Sequence, residues 1–202
     1  MRKVANTAMW ALVFFGSAAF AQGPQNRDIS FLAGPVPSTN QVIPNSDVSV
    51  STATGLAFQL SFAYQIYSTA VVNLYFETPY AFSNPGRGLI RGASGSASNR
   101  SFFFTPGVRF EVQAQSRLFL YGMAGGGYAG FRRLKLQSGL QESVTASPTL
   151  RGVFDVGGGV DFRLSRLVSL RGEVRDFIGG SGLSGASGRH HILSLIGIAL
   201  HF

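Results

Sequence analysis

The run Leu150-Arg151-Gly152-Val153-Phe154-Asp155-Val156-Gly157-Gly158-Gly159-Val160-Asp161-Phe162-Arg163-Leu164 decides the fold. Its even positions carry Gly152, Phe154, Val156, Gly158, Val160, Phe162 and Leu164. Its odd positions carry Arg151, Val153, Asp155, Gly157, Gly159, Asp161 and Arg163. Four charges on one face and none on the other is the period of a β-strand, whose successive side chains point to opposite faces. A helix would scatter the same charges around its circumference.

The same alternation recurs along the chain. Val168, Leu170, Gly172 and Val174 oppose Ser169, Arg171, Glu173 and Arg175. Phe104, Pro106, Val108, Phe110 and Val112 oppose Thr105, Gly107, Arg109, Glu111 and Gln113. Phe58, Leu60, Phe62, Tyr64 and Ile66 oppose Gln59, Ser61, Ala63 and Gln65, and Val72, Leu74 and Phe76 oppose Asn73, Tyr75 and Glu77. Ile29, Phe31 and Ala33 oppose Asp28, Ser30, Leu32 and Gly34. The last strand sets Ile192, Ile196, Ile198, Leu200 and Phe202 on one face. Leu118–Phe131 completes a set of eight, but its glycines leave its facing open.

Connectors alternate in length. Tight turns are expected near Tyr67-Ser68-Thr69, Ser116-Arg117 and Ser165-Arg166. Long loops rich in Gly, Ser, Asn and Pro are expected over Pro35–Thr52, Ser83–Arg100, Arg133–Thr149 and Gly179–His190. The fold class read from this is all-β: an eight-stranded antiparallel up-and-down transmembrane β-barrel with short periplasmic turns and long extracellular loops. Aromatic girdles are expected at both strand ends, with Tyr80, Phe82, Phe102, Phe103, Phe131 and Phe177 near the loops. Tyr64, Tyr67, Phe119, Phe162 and Phe202 lie near the turns.

Composition agrees. The chain has 202 residues, of which 13% are charged, with 26 glycines and no cysteine. Ordinary soluble domains carry about 25% charged residues. Disulfides, thiolate metal sites and cysteine nucleophiles are excluded. Arg2 and Lys3, a short apolar run through Phe15, and Ala19-Phe20-Ala21 form a secretory signal peptide over residues 1–21, leaving a barrel over 22–202. No later run approaches the roughly 20 apolar residues of a membrane-spanning helix. A closed barrel is the remaining way to satisfy the backbone in lipid. The rival is a soluble, lipocalin-like barrel with its apolar face inward.

The C-terminal run Leu195-Ile196-Gly197-Ile198-Ala199-Leu200-His201-Phe202 resembles the assembly signal of bacterial outer-membrane proteins at Gly197, Leu200 and Phe202, and departs from it at Leu195. By pattern, Asp28–Phe202 is similar to the OmpA/OmpX-like eight-stranded outer-membrane β-barrel family, with the barrel only and no periplasmic peptidoglycan-binding domain. The resemblance implies a bacterial outer-membrane location, contact with outer-membrane lipid, and recognition of the C-terminal strand by the assembly machinery. It implies roles ranging over envelope integrity, adhesion and minor pore activity.

The charges supply the functional candidates. Arg109, Arg151, Arg163, Arg171 and Arg175 and the carboxylates Asp28, Glu77, Glu111, Asp155, Asp161 and Glu173 lie on polar strand faces. Facing inward, they form a nearly neutral ion-pair network. A barrel of eight strands is just wide enough for side chains to fill it, which favours a plug over a narrow porin-like channel. The loops carry Arg87, Arg91, Arg100, Arg132, Arg133, Lys135 and Arg189 against Asp47 and Glu142, a basic outer rim suited to the phosphates of lipopolysaccharide. Nucleic acid is a poor partner for an exported barrel. Gly125-Gly126-Gly127 and Gly157-Gly158-Gly159 are expected to meet across a hairpin centred near Glu142, thinning one wall.

No cofactor is implied. His190 and His191 lack a third metal ligand at suitable spacing. Ser194 and His191 lie on opposite faces of one strand, and Asp176 is read as lying at the far end of that hairpin. A lipid A-modifying enzyme is therefore the weakest reading, and none of the His-x-Ser pattern of outer-membrane lipid A deacylases is present.

Overall fold

The structure, a computed structural model, describes residues 26–36, 39–42, 49–52, 54–84, 88–91, 96–97, 100–137, 143–179 and 190–202, with 39–42, 49–52, 88–91, 96–97, 132–137 and 143–149 in backbone only. The leader over 1–21 lies outside the described residues.

Among the described residues thirteen strands follow in chain order: β1 (Arg27–Val36), β2 (Thr39–Val42), β3 (Ser49–Thr52), β4 (Gly55–Ser68), β5 (Val72–Asn84), β6 (Gly88–Arg91), β7 (Ser96–Ala97), β8 (Ser101–Phe104), β9 (Gly107–Gln113), β10 (Leu118–Gln137), β11 (Ser143–Arg163), β12 (Val168–Gly179) and β13 (His190–His201). β8 and β9 are one stave of the barrel. It is interrupted at Thr105-Pro106, where proline has no N–H to give the ladder. The staves pair in sequence, β1-β4-β5-β8/β9-β10-β11-β12-β13, and β13 returns to β1. The result is a closed, antiparallel, up-and-down barrel of eight staves. β2, β3, β6 and β7 form a separate four-stranded sheet from the first two long connectors.

The three tight turns hold as expected. Ser165 Oγ accepts from the backbone N–H groups of Leu167 and Val168, and Thr69 Oγ1 accepts from Val72. The ends of the described chain meet beside these turns, where Arg27 and Phe202 exchange both backbone hydrogen bonds at 3.0 Å. The third loop differs from expectation. Pairing of β10 with β11 continues up to Gln137 opposite Ser143, so most of Arg133–Thr149 is strand. The hairpin centre is residue 140, and this shifts the register. Gly126 faces Phe154 and Gly122 faces Gly158, so the two glycine triplets are offset by four residues rather than opposed.

Facing follows the alternation. Phe31, Leu60, Val108, Phe110, Val160, Leu170, Val174 and Ile196 are exposed on the outer wall, while Asp28, Gln59, Glu77, Arg109, Asp161 and Arg171 are buried inside. That is the reverse of a soluble barrel and removes the lipocalin-like alternative, because lipid takes the place of a second sheet or helix layer. β10 resolves with Leu120 and Tyr128 outward and Tyr121, Met123, Ala129 and Phe131 inward.

One aromatic expectation is corrected. Tyr80, Phe82, Phe102, Tyr64, Tyr67 and Phe162 are exposed on the outer wall, but Phe103, Phe131 and Phe177 point inward and are buried. Phe103 and Phe177 stack at 4.2 Å between centroids, and Phe131 meets Phe103 edge-on at 5.7 Å. With Leu32, Ala57, Ala81, Ala129, Val153, Leu193 and Leu195 they form an apolar layer across the lumen. Parity puts them there: Phe177 is two residues beyond inward-facing Arg175, and Phe103 is two before inward-facing Thr105.

Candidate functional site: the filled lumen

Beside the apolar layer, on the side toward the turns, lies a continuous chain of opposite charges. Asp28 on β1 accepts hydrogen bonds from both Arg109 on β9 and Arg171 on β12, the latter at 3.2 Å. Arg171 forks onto Asp161 Oδ2 through Nε at 3.0 Å and Nη2 at 2.5 Å. Arg109 reaches toward Glu77 at 3.6 Å. Arg175 uses all three nitrogens, donating to Glu173 at 2.9 Å, Asp155 at 2.6 Å and Glu77 at 3.0 Å. The order Asp161–Arg171–Asp28–Arg109–Glu77–Arg175 thus alternates in sign across the barrel.

Neutral residues complete the packing. Gln59 and the Tyr121 hydroxyl donate to Glu173 at 2.7 and 3.1 Å, and Thr105 donates to Asp155 at 2.9 Å. The Arg109 guanidinium lies 4.5 Å from the Tyr75 ring centroid and 5.5 Å from that of Tyr121, which also faces Arg171. A delocalised, weakly hydrated guanidinium accepts such stacking, whereas an ammonium would leave the planar bonds unmade. Gln59, Tyr75, Thr105 and Tyr121 were not singled out by the sequence reading. The signal is present for two of them, since Tyr75 shares inward parity with Glu77 and Thr105 with Arg109.

Glycine makes this packing possible. A Cβ on Gly159 would lie 2.5 Å from the Tyr121 ring, and one on Gly157 would lie 3.0 Å from the Arg175 Cα. Tyr121 therefore folds across the Gly159 backbone on the neighbouring stave.

The expected lumenal residues are brought together with one exception and one outlier. Arg151 has inward parity but is exposed, two residues nearer the loops than buried Val153, and lies outside the network. Arg163 sits at the turn end with 19% of its side chain exposed. It is 3.9 Å from Glu111 and 5.0 Å from the Phe119 ring centroid. Glu111 also accepts from Asn73 at 3.3 Å. With Arg151 outside, four arginines face six carboxylates, so the lumen is acidic rather than nearly neutral.

The loop cations are less fully described. Arg87 and Arg189 lie outside the described residues. Arg91, Arg132, Arg133 and Lys135 fall on strands described in backbone only, and Arg100 is exposed. On the last strand, Leu200 faces outward and Gly197 faces inward, where a Cβ would run into the Phe31 carbonyl. Leu195, the departure from the assembly pattern, belongs to the apolar layer.

The histidines separate. His191 points inward, with its ring centroid 5.0 Å from that of Phe131. His190 points outward and pairs with Asp176 at 2.6 Å, which places Asp176 beside the histidines and not at the far end of the hairpin. Among the described residues, no cluster of three His, Asp or Glu is arranged to hold a metal.

The sequence matches no protein-family model and no curated protein. Solved structures do match. The crystal structure of Neisserial surface protein A aligns over 89% of this chain and 98% of that one, with a TM-score of 0.59 and 14% identity. The outer-membrane protein OprG from Pseudomonas aeruginosa aligns over 90% of this chain and 98% of that one, with a TM-score of 0.53 and 12% identity. The fold is that of the OmpA/OmpX-like eight-stranded outer-membrane barrels. At these identities the likeness carries the fold and leaves the role to be argued from the lumen and rims.

Proposed function

We propose that this chain is an integral protein of the bacterial outer membrane with a structural or surface-interaction role, and that its barrel does not conduct. The observation carrying this reading is that two chemically unlike seals lie in series. Passage through the apolar layer of Phe103, Phe131, Phe177 and their neighbours requires wetting a dry constriction. Passage through the Asp161-to-Arg175 chain requires parting ion pairs that are almost wholly buried. Opening one seal leaves the other shut.

In this reading the basic loop residues face lipopolysaccharide phosphates, and the C-terminal strand serves the assembly machinery. The protein works without enzymatic activity, cofactor or nucleic acid. Residues 22–202 refolded into a planar bilayer in salt are expected to be silent, as are the single variant Arg109→Ala and the double variant Phe103→Ala/Phe177→Ala. Folding is confirmed by heat-shifted gel mobility. Discrete openings from the unmodified barrel would overturn the reading. They would favour a narrow channel, for which the excess of lumenal carboxylates predicts cation selectivity and a drop in conductance on Glu111→Gln.

A further inference from the structure

The turn end of the barrel opens into a pocket of about 580 Å³, within the range that holds small ligands. Its walls carry Arg117 from the β9–β10 turn and Arg166 from the β11–β12 turn, and Arg163 lies deeper in it. Arg117 and Arg163 are held side by side because the Arg163 N–H donates to the Arg117 carbonyl at 2.8 Å. Among the described residues, no carboxylate lines the pocket. Glu111, which approaches Arg163 at 3.9 Å, is fully buried and is shared with Asn73.

Arg163 is less well paired than Arg171 and Arg175. Arg171 and Arg175 are saturated by carboxylates at 2.5–3.2 Å, whereas Arg163 approaches only one, at 3.9 Å. Its Nε–H is buried and has no hydrogen-bond partner. Three guanidinium groups around one cavity repel one another unless an anion sits among them. An anion there gains planar, bidentate donors that are already in place. A carboxylate has two oxygens to offer three forks, while a phosphate group has enough for all three.

We propose that this vestibule binds a phosphate group, presented either by a soluble phosphorylated compound or by a phospholipid headgroup of the adjacent leaflet. Arg163 is the central ligand, and Arg117 and Arg166 close over it from the turns. Binding draws Arg163 toward the mouth and leaves the Asp161-to-Arg175 chain intact, because Arg163 is not a member of that chain.

The test is calorimetric titration of pyrophosphate into residues 22–202, first in a phosphate-free maltoside detergent and then in phosphatidylglycerol nanodiscs. Binding is expected to weaken by at least about tenfold in Arg163→Gln, the loss of one charge-assisted bond pair. It should weaken similarly in Arg117→Gln/Arg166→Gln, whose positions are on exposed turns and leave the barrel wall untouched. Arg100→Gln, at the opposite end, should bind as the unmodified protein does. Pyrophosphate binding present in the maltoside and abolished in phosphatidylglycerol nanodiscs assigns the site to a lipid phosphate. Binding retained in both assigns it to a soluble one. Absence of binding in the maltoside, equal affinity in the turn variant, or equal weakening by Arg100→Gln overturns the proposal.

Discussion

Replacing Arg175 by methionine removes a side chain that holds three carboxylates at once. Its bonds to Glu173, Asp155 and Glu77 measure 2.9, 2.6 and 3.0 Å. Methionine fills most of the volume, so the cost is electrostatic. The three carboxylates do not suffer equally. Glu173 keeps Gln59 and Tyr121, and Asp155 keeps Thr105. Glu77 keeps only the 3.6 Å approach of Arg109 and is stranded at 3% exposure. Truncating one partner of a buried ion pair costs about 3–5 kcal/mol, and most of that cost should reside on Glu77. This localisation has a sign that can be checked. Glu77→Gln alone should destabilise by about 1–3 kcal/mol, since it spoils a charged hydrogen bond. In the Arg175→Met background the same change should stabilise, giving a coupling of about 2–3 kcal/mol. The assay is denaturant unfolding in lipid vesicles followed by circular dichroism and heat-shifted gel mobility. Tryptophan fluorescence is of no use, because the sole tryptophan, Trp10, falls in the segment read as a leader. An Arg175→Met cost below about 1 kcal/mol, or a Glu77→Gln effect of the same sign in both backgrounds, would refute the reasoning.

Two further outcomes test the walls. Gly159→Val should destabilise by about 1–3 kcal/mol through overpacking, and Tyr121→Leu should recover part of the loss by clearing the ring from the glycine. If the double variant is no better than the single one in vesicle unfolding, the Gly172 carbonyl, 2.4 Å from that Cβ, and not the Tyr121 ring is the contact that limits the site. Val174→Lys on the outer wall should cost about 2–4 kcal/mol in a bilayer, against about 0–1 for Leu164→Lys beside the turn. Equal costs at the two positions would mean that Val174 does not face hydrocarbon.

Most of the barrel was legible because its faces differ so sharply. Arg171-x-Glu173-x-Arg175 can turn only one way without placing charge in lipid, and the neighbouring staves follow. What period-2 reading cannot supply is register. The glycine triplets were set opposite each other by placing the hairpin centre at Glu142. Pairing fixes the centre at residue 140, because strand geometry persists through Pro148 to Ser143. The apolar layer was lost for a different reason. Phe103, Phe131 and Phe177 were sorted by distance along the strand, as girdle residues are, although parity already turned two of them inward. Arg151 shows the opposite limit: parity alone put it in the network, but it lies on the loop side of buried Val153 and is exposed. The charge chain itself was legible as a set of residues. Its order of partners was not, because Asp28, Arg109 and Arg171 are far apart in sequence and meet only when the sheet closes.

That closure has a consequence for the order of folding. Asp28 and His201 are neighbours across the β1–β13 seam, yet they stand about 170 residues apart in the chain, a separation whose closure costs roughly 4–5 kcal/mol in entropy. The seam forms only after the last stave exists. Asp28 on the first stave is also the common acceptor for Arg109 and Arg171. Until the ends meet, an open sheet in lipid would hold two guanidinium groups without their shared counter-charge. Insertion with the seam still open is thereby disfavoured at every intermediate size, and closure and entry into the bilayer become a single event.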